Sequence, residues 1–328
     1  MLYRILAIGD VVGEPGLRHL ERHLRSIKRL KDVHFTVVNG ENAAGTGITP
    51  DQVEALYTAG ADVVTLGNHT FGKQQIARRL EAYGYDCLSV DFGQYDSFYY
   101  AAPPCYMEKG RVIPLAAAVK EQVKIPILCG GRMNDPALAA QAIAEGKMDG
   151  VVLGRASLAD PDFPRKVAMG CPQEIRPCIG CNQGCIGALK IGRRTGCAVN
   201  PQAAREATFG TVPAGKKKSV LVVGGGVAGM EAARCAASRG HTVTLWEKSG
   251  QLGGNLIPAG AHDFKAELNE LNAWYQTQLD TLGVAVQRNH PATAQAIQEA
   301  HPDAVILAVG ATPTVPPAAG MDSPKVVD

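Results

Sequence analysis

The sequence predicts an α/β protein with parallel sheets, and three observations lead to this fold class. Short apolar runs rich in β-branched residues alternate with segments of helical periodicity along most of the chain. Each apolar run before residue 165 ends at a glycine or an acidic residue, as strands do where they enter a tight turn. Glycine is frequent, at 37 of 328 residues, whereas aromatic residues make up only 5%, which favours many strand–helix turns over a β-sandwich.

Six strand–helix units fit into the first half of the chain. Because eight such units close a barrel, six predict an incomplete parallel βα sheet, either open or partly TIM-barrel-like. We expect all six strands to lie in one continuous sheet, since the units share their period and handedness. The predicted strands are YRILAIG, HFTVVNG, DVVTLG, DCLSVD, IPILCG and GVVLG, and the helical segments include LRHLERHLRSIKRL, TPDQVEALYTAG, QQIARRLEAYG and DPALAAQAIAEG.

The second half of the chain begins with a loop segment and continues as a new α/β region. A loop rich in cysteine and glycine spans 171–200, and a polar linker ends in the charge run 216–218. The apolar strand SVLVVGGG then opens a region that extends to about residue 312 and includes the late strand VILAVGATP. We therefore predict a Rossmann-like domain after the Cys-rich loop.

Composition excludes several classes of protein. Lys and Arg total 33 against 31 for Asp and Glu, so the basic excess of a nucleic-acid-binding protein is missing. No stretch reaches 18 apolar residues, so no membrane span is expected, and the N-terminal MLYRILAIGD reads as a first strand and not as a signal peptide. An odd count of nine cysteines, four of them clustered, indicates a reducing compartment. We expect a cytoplasmic protein, and open sheet edges favour a homo-oligomer.

Four cysteines have the spacing of a metal or cluster site. Cys178, Cys181 and Cys185 form C-x2-C-x3-C, and Cys197 follows after eleven further residues. A tight run of three thiolates with one remote ligand suits a [4Fe–4S] cluster, and the intervening glycines let the backbone wrap closely around it. A structural zinc site with four thiolates is the alternative.

A glycine-rich turn predicts a dinucleotide site. Gly224, Gly226 and Gly229 form G-x-G-x-x-G directly after an apolar strand and directly before a helix, where the turn, the pyrophosphate and helix packing each require a glycine. Glu247 ends the next strand, 18 residues beyond Gly229, where its carboxylate can accept ribose hydroxyls. The segment QLGGNL adds the second glycine pair, Gly253 and Gly254.

From residue 76 onward the chain resembles the old yellow enzyme-like flavin oxidoreductases of the 2,4-dienoyl-CoA reductase and enoate reductase type. The matching motifs are YDSFYYAAPPCYMEKG, CGGRMNDP, LGRASLADPDFPRK, RPCIGCNQGC, CAVNP, VVGGGVAGMEAA, QLGG and VILAVGATP. The resemblance implies that the four clustered cysteines bind a [4Fe–4S] cluster and that the glycines and Glu247 line FAD. It also implies an FMN phosphate site at Gly131, Arg132, Gly154 and Arg155, where the residues alone favour surface ion pairs for the two arginines.

The beginning of the chain resembles a bacterial metallophosphoesterase of the calcineurin-like superfamily, through ILAIGDVVGEPG, VVNGENAAGTGITP and DVVTLGNHTF. This resemblance implies metal-site roles for Asp10, Glu41, Asn42 and Asn68, with His69 as an acid. Each lies just past a predicted strand, so we expect these side chains to converge at one sheet edge. Without the resemblance they read as turn or helix caps. The next histidine is His241, so a bound divalent ion is not expected here.

Both resemblances cover fragments, so the chain reads as a fusion. The function they predict is NAD(P)H oxidation, with electrons passing through FAD and the [4Fe–4S] cluster to FMN and an activated C=C of a small enoate or enoyl-CoA substrate. The barrel and NAD(P)H portions are incomplete, so we expect electron transfer and not complete enoate reduction; no catalytic residue is assigned. The alternatives are a metal-dependent phosphodiesterase or phosphatase and a non-catalytic fusion. The predicted segments are 1–75 (phosphoesterase-like), 76–170 (end of an FMN barrel), 171–212 (cluster loop) and 213–328 (FAD domain).

Overall fold

The computed structural model describes residues 3–67, 69–70, 73, 75–93, 97–311, 319–320 and 323. The chain forms two compact units. The first contains the chain up to Pro161 together with Gly180–Thr195, and the second contains Asp162–Ile179 together with the chain from Gly196. The cluster loop therefore contributes to both units. The predicted boundaries between the four segments stay a prediction.

The first unit is built from short parallel strands, each followed by helical structure. Its strands are β1 (Ile5–Asp10), β2 (Phe35–Asn39), β3 (Val63–Thr65), β4 (Leu88–Val90), β5 (Ile127–Cys129) and β6 (Gly150–Val151). Its helices are α1 (Gly13–Lys31), α2 (Pro50–Ala59), α3 (Ile76–Ala82), α4 (Phe98–Ala101), α5 (Ile113–Lys120), α6 (Pro136–Ala144), α7 (Arg155–Ala159) and, from the cluster loop, α9 (Ala188–Lys190).

The prediction of one continuous six-stranded sheet is wrong. Strands β1, β2 and β3 pair in that order in one parallel sheet, and β4, β5 and β6 pair in that order in another. Within the described residues no backbone ladder joins β3 to β4. Each of these two strands is three residues long and offers few hydrogen bonds to a further neighbour. The prediction of an α/β fold with an incomplete parallel sheet is confirmed.

A single hydrophobic core runs through both three-stranded sheets. Leu24, Val38 and Leu56 from the first sheet and its helices are fully buried, and so are Val90 and Ile127 from the second. Apolar burial therefore joins the two sheets where the backbone ladder does not.

The sequence signal TPDQ marks the beginning of α2. Thr49 Oγ1 accepts from Gln52 N, and Gln52 Oε1 accepts from Thr49 N, so both ends of a capping box are formed. Pro50 occupies the first turn, where no intrahelical donor is needed, and Gly60 ends the helix with φ of 116°. This helix places Val53 and Leu56 in the core.

Two leucines of α1 test this packing. Leu24 is fully buried, whereas Leu30, on the same helix, is 80% exposed. We expect Leu24→Ala to lower the free energy of unfolding by about 2–5 kcal/mol, because it leaves a cavity in the core. Leu30→Ala is the matched control and should change it by less than about 0.5 kcal/mol. Equal urea midpoints for the two variants would contradict the assignment of the buried face.

The second unit contains a four-stranded parallel sheet. Its strands, in the order β10-β7-β8-β9, are β7 (Ser219–Val223), β8 (Thr242–Trp246), β9 (Ala285–Gln287) and β10 (Ala304–Leu307), so the predicted late strand pairs with the strand before the glycine turn. The helices of this unit are α8 (Phe163–Ala168), α10 (Glu206–Phe209), α11 (Val227–Ser238), α12 (Leu256–Ala259), α13 (Ala266–Thr281) and α14 (Ala294–Glu299). In both units, no helix among the described residues is long and apolar enough to cross a membrane.

Candidate functional site

The glycine turn of the second unit connects β7 to α11. Gly224 has φ of 105°, and a Cβ there would overlap the carbonyl oxygen of Ala308. A Cβ on Gly229 would overlap the carbonyl oxygen of Gly224, so these two glycines permit the close packing of helix, turn and β10. Gly226 differs, because no atom lies within 4 Å of where its Cβ would be. It caps α11 without a side-chain hydrogen bond, which leaves the helix N-terminus open to an anion.

Glu247 lies against this turn, as the sequence predicts. Its Oε2 accepts from Gly225 N at 2.6 Å, and its Oε1 accepts from Ser249 N at 2.8 Å. Burial opposes ionisation of Glu247, which is 9% exposed, but the backbone donors of Ser249 and Gly225 outweigh it and lower the pKa of the carboxyl. A charged carboxylate is therefore held beside the turn, and each oxygen keeps a further lone pair for a hydroxyl donor.

The second glycine pair lies directly on the first turn. Gly253 N donates to Gly225 O at 2.9 Å, and Gly226 and Gly253 form a parallel bridge. A Cβ on Gly253 would lie 2.7 Å from Nδ2 of Asn272, and a Cβ on Gly254 would lie 3.1 Å from Cα of Gly226. The structure thus brings together all six residues that the sequence assigns to FAD. The open helix terminus, the paired glycine turns and the charged Glu247 fit a dinucleotide.

Glu247 also makes stability depend on pH. Because the folded state lowers its pKa, ionised Glu247 stabilises the fold above the ordinary glutamate value of about 4.3, and this stability is lost as the pH falls through the lowered value. Glu247→Gln places an amide N–H₂ against a backbone donor, and we expect a loss of about 1–3 kcal/mol at pH 7. Urea unfolding at pH 7 and pH 3.5 checks this prediction. A difference between wild type and variant that does not shrink at pH 3.5 would contradict it.

Two of the four cluster cysteines lie in the first unit. Gly180, with φ of 62°, packs so closely that a Cβ would lie 2.9 Å from Cys105 N. Cys181 follows it, and Cys185 lies in the π-helical turn Gln183–Gly187. Asn182 begins that turn with φ of 57°, and its carbonyl accepts from Gly187 N at 2.7 Å. Both thiols are half-buried and free of disulfides.

The other two cysteines, Cys178 and Cys197, belong to the second unit; they are also half-buried and form no disulfide. Among the described residues no group of three or more His, Cys, Asp or Glu is arranged to hold a single metal ion. The thiolates of a [4Fe–4S] cluster each bind a different iron, so they lie farther apart than the ligands of one ion. Thiolates are the ligands that a [4Fe–4S] cluster takes, so the donor chemistry of these four cysteines suits such a cluster. Their assignment as its ligands stays a prediction.

The two arginines predicted to bind an FMN phosphate donate hydrogen bonds to backbone carbonyls. Arg132 is 8% exposed, and its Nη1 donates to the carbonyl oxygens of Pro104 and Cys105 at 2.6 and 2.8 Å and also to that of Met107. Arg155 Nη1 donates to Pro103 O at 2.8 Å and to Asn182 Oδ1 at 2.5 Å. The burial of Arg132 excludes the alternative of a surface ion pair. Both arginines therefore donate hydrogen bonds to backbone carbonyls of the segment 103–107.

The glycines predicted for the same phosphate lie beside a carboxylate. Gly131 has φ of 81°, and a Cβ there would lie 3.4 Å from Oδ1 of Asp91; Gly154 has open space around it. Desolvation raises the pKa of Asp91, but the Phe92 N–H and the charge of Arg155 oppose this rise. A phosphate at Gly131 would lie near this carboxyl, and Nη1 of each arginine already donates to a backbone carbonyl. The assignment of Gly131, Arg132, Gly154 and Arg155 to an FMN phosphate stays a prediction.

The N-terminal residues converge at the edge of the first sheet, as the sequence predicts. Asp10, at the end of β1, accepts at Oδ2 from Asn42 Nδ2 at 2.6 Å, and Asn42 Oδ1 contacts His69 Nδ1. The Glu41 carboxylate lies against Gly67, where a Cβ would overlap Oε2. Asn68 lies outside the described residues. The structure thus joins an acid, an amide and a histidine in one hydrogen-bonded chain.

Three family models match the chain. Residues 60–174 match the NADH:flavin oxidoreductase / NADH oxidase family, and residues 216–327 match pyridine nucleotide-disulphide oxidoreductases. Residues 6–85 match the YmdB-like protein model. The first and third matches overlap at 60–85, so one strand–helix unit is common to both.

Individual relatives agree with the two oxidoreductase models. The chain is 46% identical over 239 residues to cinnamate reductase of Clostridium sporogenes, covering 73% of this chain and 36% of the relative. It is 42% identical over 259 residues to NADH oxidase of Thermoanaerobacter brockii, covering 78% and 40%. The structure matches 2-naphthoyl-CoA reductase with a TM-score of 0.76 and 29% identity, covering 95% of this chain and 53% of that one. The chain spans about two fifths of the length of the curated relatives it matches.

The matched families and relatives are oxidoreductases that use flavin. They support an old yellow enzyme-like, 2,4-dienoyl-CoA reductase-like family for the chain from residue 60 onward. FAD, FMN, NAD(P)H and a [4Fe–4S] cluster are the cofactors typical of this family. The metallophosphoesterase interpretation of the first 75 residues is not supported by these comparisons.

Sequence reasoning missed several residues that shape these sites. Asp91 lies one residue past β4, and strand-end acids are a signal that could have singled it out. Asn182 stands inside the cysteine motif, where an Asn is able to adopt the left-handed conformation that the turn requires. Asn272 carries no local signal, because its contact with Gly253 joins parts of the chain that are distant in sequence.

Proposed function

We propose that this chain is an FAD- and [4Fe–4S]-binding oxidoreductase module that accepts electrons from NAD(P)H and passes them on singly. The observation that carries the proposal is the paired glycine turn with the charged Glu247 beside it. When bound, FAD takes up a hydride as two electrons, and the cluster carries one electron at a time. In this chain the α11 N-terminus would hold the pyrophosphate, Glu247 would accept ribose hydroxyls, and the four thiols would hold the cluster.

The finer assignments rest on relatives. Cinnamate reductase and 2-naphthoyl-CoA reductase favour a small enoate or enoyl-CoA compound as the final electron acceptor. The incomplete barrel, with two three-stranded sheets in place of eight closed strands, favours transfer to an external acceptor over reduction of C=C by this chain. Nine cysteines without a disulfide support a reducing, cytoplasmic location. We also expect a homo-oligomer, because short open sheets leave unpaired edges.

Anaerobic purification with flavin, iron and sulfide analysis tests the proposal. We expect FAD near one per chain, about four irons, and little FMN. NADH and NADPH should each be tried as donors for ferricyanide, a one-electron acceptor. A purified chain that is colourless and contains neither iron nor flavin would overturn the proposal. Hydrolysis of a phosphodiester with Mn²⁺ by such a colourless chain would favour the phosphoesterase alternative instead.

A further inference from the structure

Helix α13 carries two side chains that connect it to both predicted cofactor regions of the second unit. Its buried residues are Glu267, Leu271, Trp274, Tyr275 and Leu279, so one face of the helix is packed along its whole length. Asn272 and Trp274 lie two residues apart on this helix, and the side chain of each donates a hydrogen bond to a carbonyl outside it. Neither the glycine motifs nor the cysteine spacing points to this helix.

Asn272 supports the FAD turn. Its Nδ2 donates to Leu252 O at 3.1 Å, and its amide lies so close to Gly253 that a Cβ there would be 2.7 Å away. Leu252 directly precedes the second glycine pair, whose Gly253 N donates to Gly225 O. The position of α13 is therefore tied to the loop predicted to line FAD.

Trp274 holds the segment that leads to the first cluster cysteine. Its Nε1 donates to Glu174 O at 2.9 Å, and the Arg176 guanidinium lies over its ring at 4.5 Å from the centroid. Glu174 ends the short helical turn Pro172–Glu174, and Cys178 follows Arg176 by two residues. Trp274 is 4% exposed and Arg176 is 8% exposed, so this cation–π contact lies in the interior of the unit.

From this geometry we infer that Trp274 is a positioning residue that places Cys178, and with it the cluster, relative to FAD. One rigid helix contacts the FAD loop through Asn272 and the cysteine segment through Trp274. Electron transfer between two centres slows steeply as their separation grows, so a fixed spacing preserves the rate. This inference rests on the proposed function, because it assumes that Cys178 binds the cluster and that the glycine turns bind FAD.

Trp274→Phe keeps an aromatic ring under Arg176 and removes the N–H donor, and Trp274→Leu removes both. Trp246→Phe is the matched control: Trp246 is also buried in this unit, but its Nε1 finds no hydrogen-bond partner among the described residues. Amide hydrogen exchange of the purified chain reports on the segment directly. The Glu174 and Ile175 amides donate within the Pro172–Glu174 turn. We expect them to exchange about three- to tenfold faster in Trp274→Phe, and faster still in Trp274→Leu.

A second measurement links the position to the cluster. We expect both Trp274 variants to change the midpoint potential and the EPR signal of the reduced cluster, with FAD content unchanged, whereas Trp246→Phe matches wild type. Exchange at Glu174 and Ile175 that is the same in Trp274→Phe and Trp246→Phe would overturn the inference. An unchanged cluster potential and signal in Trp274→Leu would also overturn it. A wild-type chain that binds no iron would instead overturn the proposed function, and the exchange result would still be readable.

Discussion

Gly229→Ala is expected to destabilise the second unit and to remove FAD. A Cβ at Gly229 would overlap the backbone carbonyl oxygen of Gly224 and lie 3.4 Å from Cβ of Ala308. Backbone atoms cannot rotate away, so α11 must shift from β7 and β10. We expect a loss of about 1–3 kcal/mol in the free energy of unfolding, and a flavin content near zero, since the turn is displaced. Thermal unfolding and flavin analysis of the purified variant measure both effects.

Gly226→Ala is the control, three residues earlier in the same turn. Its φ is −75°, which alanine adopts without strain, and nothing lies within 4 Å of the added Cβ. Stability should stay within about 0.5 kcal/mol of wild type, while FAD affinity falls because the methyl group projects into the space of the pyrophosphate. A Gly229→Ala protein with wild-type stability and wild-type flavin would show that the helix does not pack as described.

Cys185→Ser is expected to remove the iron. A serine hydroxyl is a poor ligand for iron beside three thiolates, because soft thiolates select Fe–S clusters. Iron should fall from about four per chain to near zero, together with the broad visible absorption. The two units should remain folded, since Cys185 is only half-buried. Iron and sulfide analysis, with a far-ultraviolet circular dichroism spectrum, checks this result.

Cys171→Ser is the matched control, because Cys171 is also half-buried and lies outside the four-cysteine motif. It should retain full iron content. Retention of iron by Cys185→Ser would refute its role as a ligand. One zinc per chain without iron or sulfide, in wild type, would establish the structural zinc alternative.

Local elements of the fold were predictable because their signals lie within one turn or one strand. The runs YRILAIG, HFTVVNG and SVLVVGGG became β1, β2 and β7, and the TPDQ signal became the start of α2. The continuity of the sheet was not predictable. Strand pairing depends on how the core packs, and Leu56, Val90 and Ile127 fill one core across two separate ladders.

The candidate site likewise contains some features that the local sequence predicts and others that only the tertiary structure reveals. The spacing of Gly224, Gly226 and Gly229 sets the geometry of one turn, so this glycine turn could be predicted from the sequence, and the structure places Glu247 against it. The contacts of Arg132 and Arg155 could not be predicted in this way, because their Nη1 atoms reach carbonyls of a segment that lies 25–52 residues away in sequence. The phosphate site assigned to them stays a prediction.

By itself the sequence determined the fold class, the glycine turn and the cysteine spacing of this protein. These features depend on residues a few positions apart, where backbone geometry leaves few conformations. Only the tertiary structure decided that the first six strands form two sheets, that a carboxylate lies beside Gly131, and that α13 contacts both the FAD loop and the segment before Cys178. Those contacts join residues up to 100 positions apart, as from Glu174 to Trp274, and are fixed by packing within the folded unit.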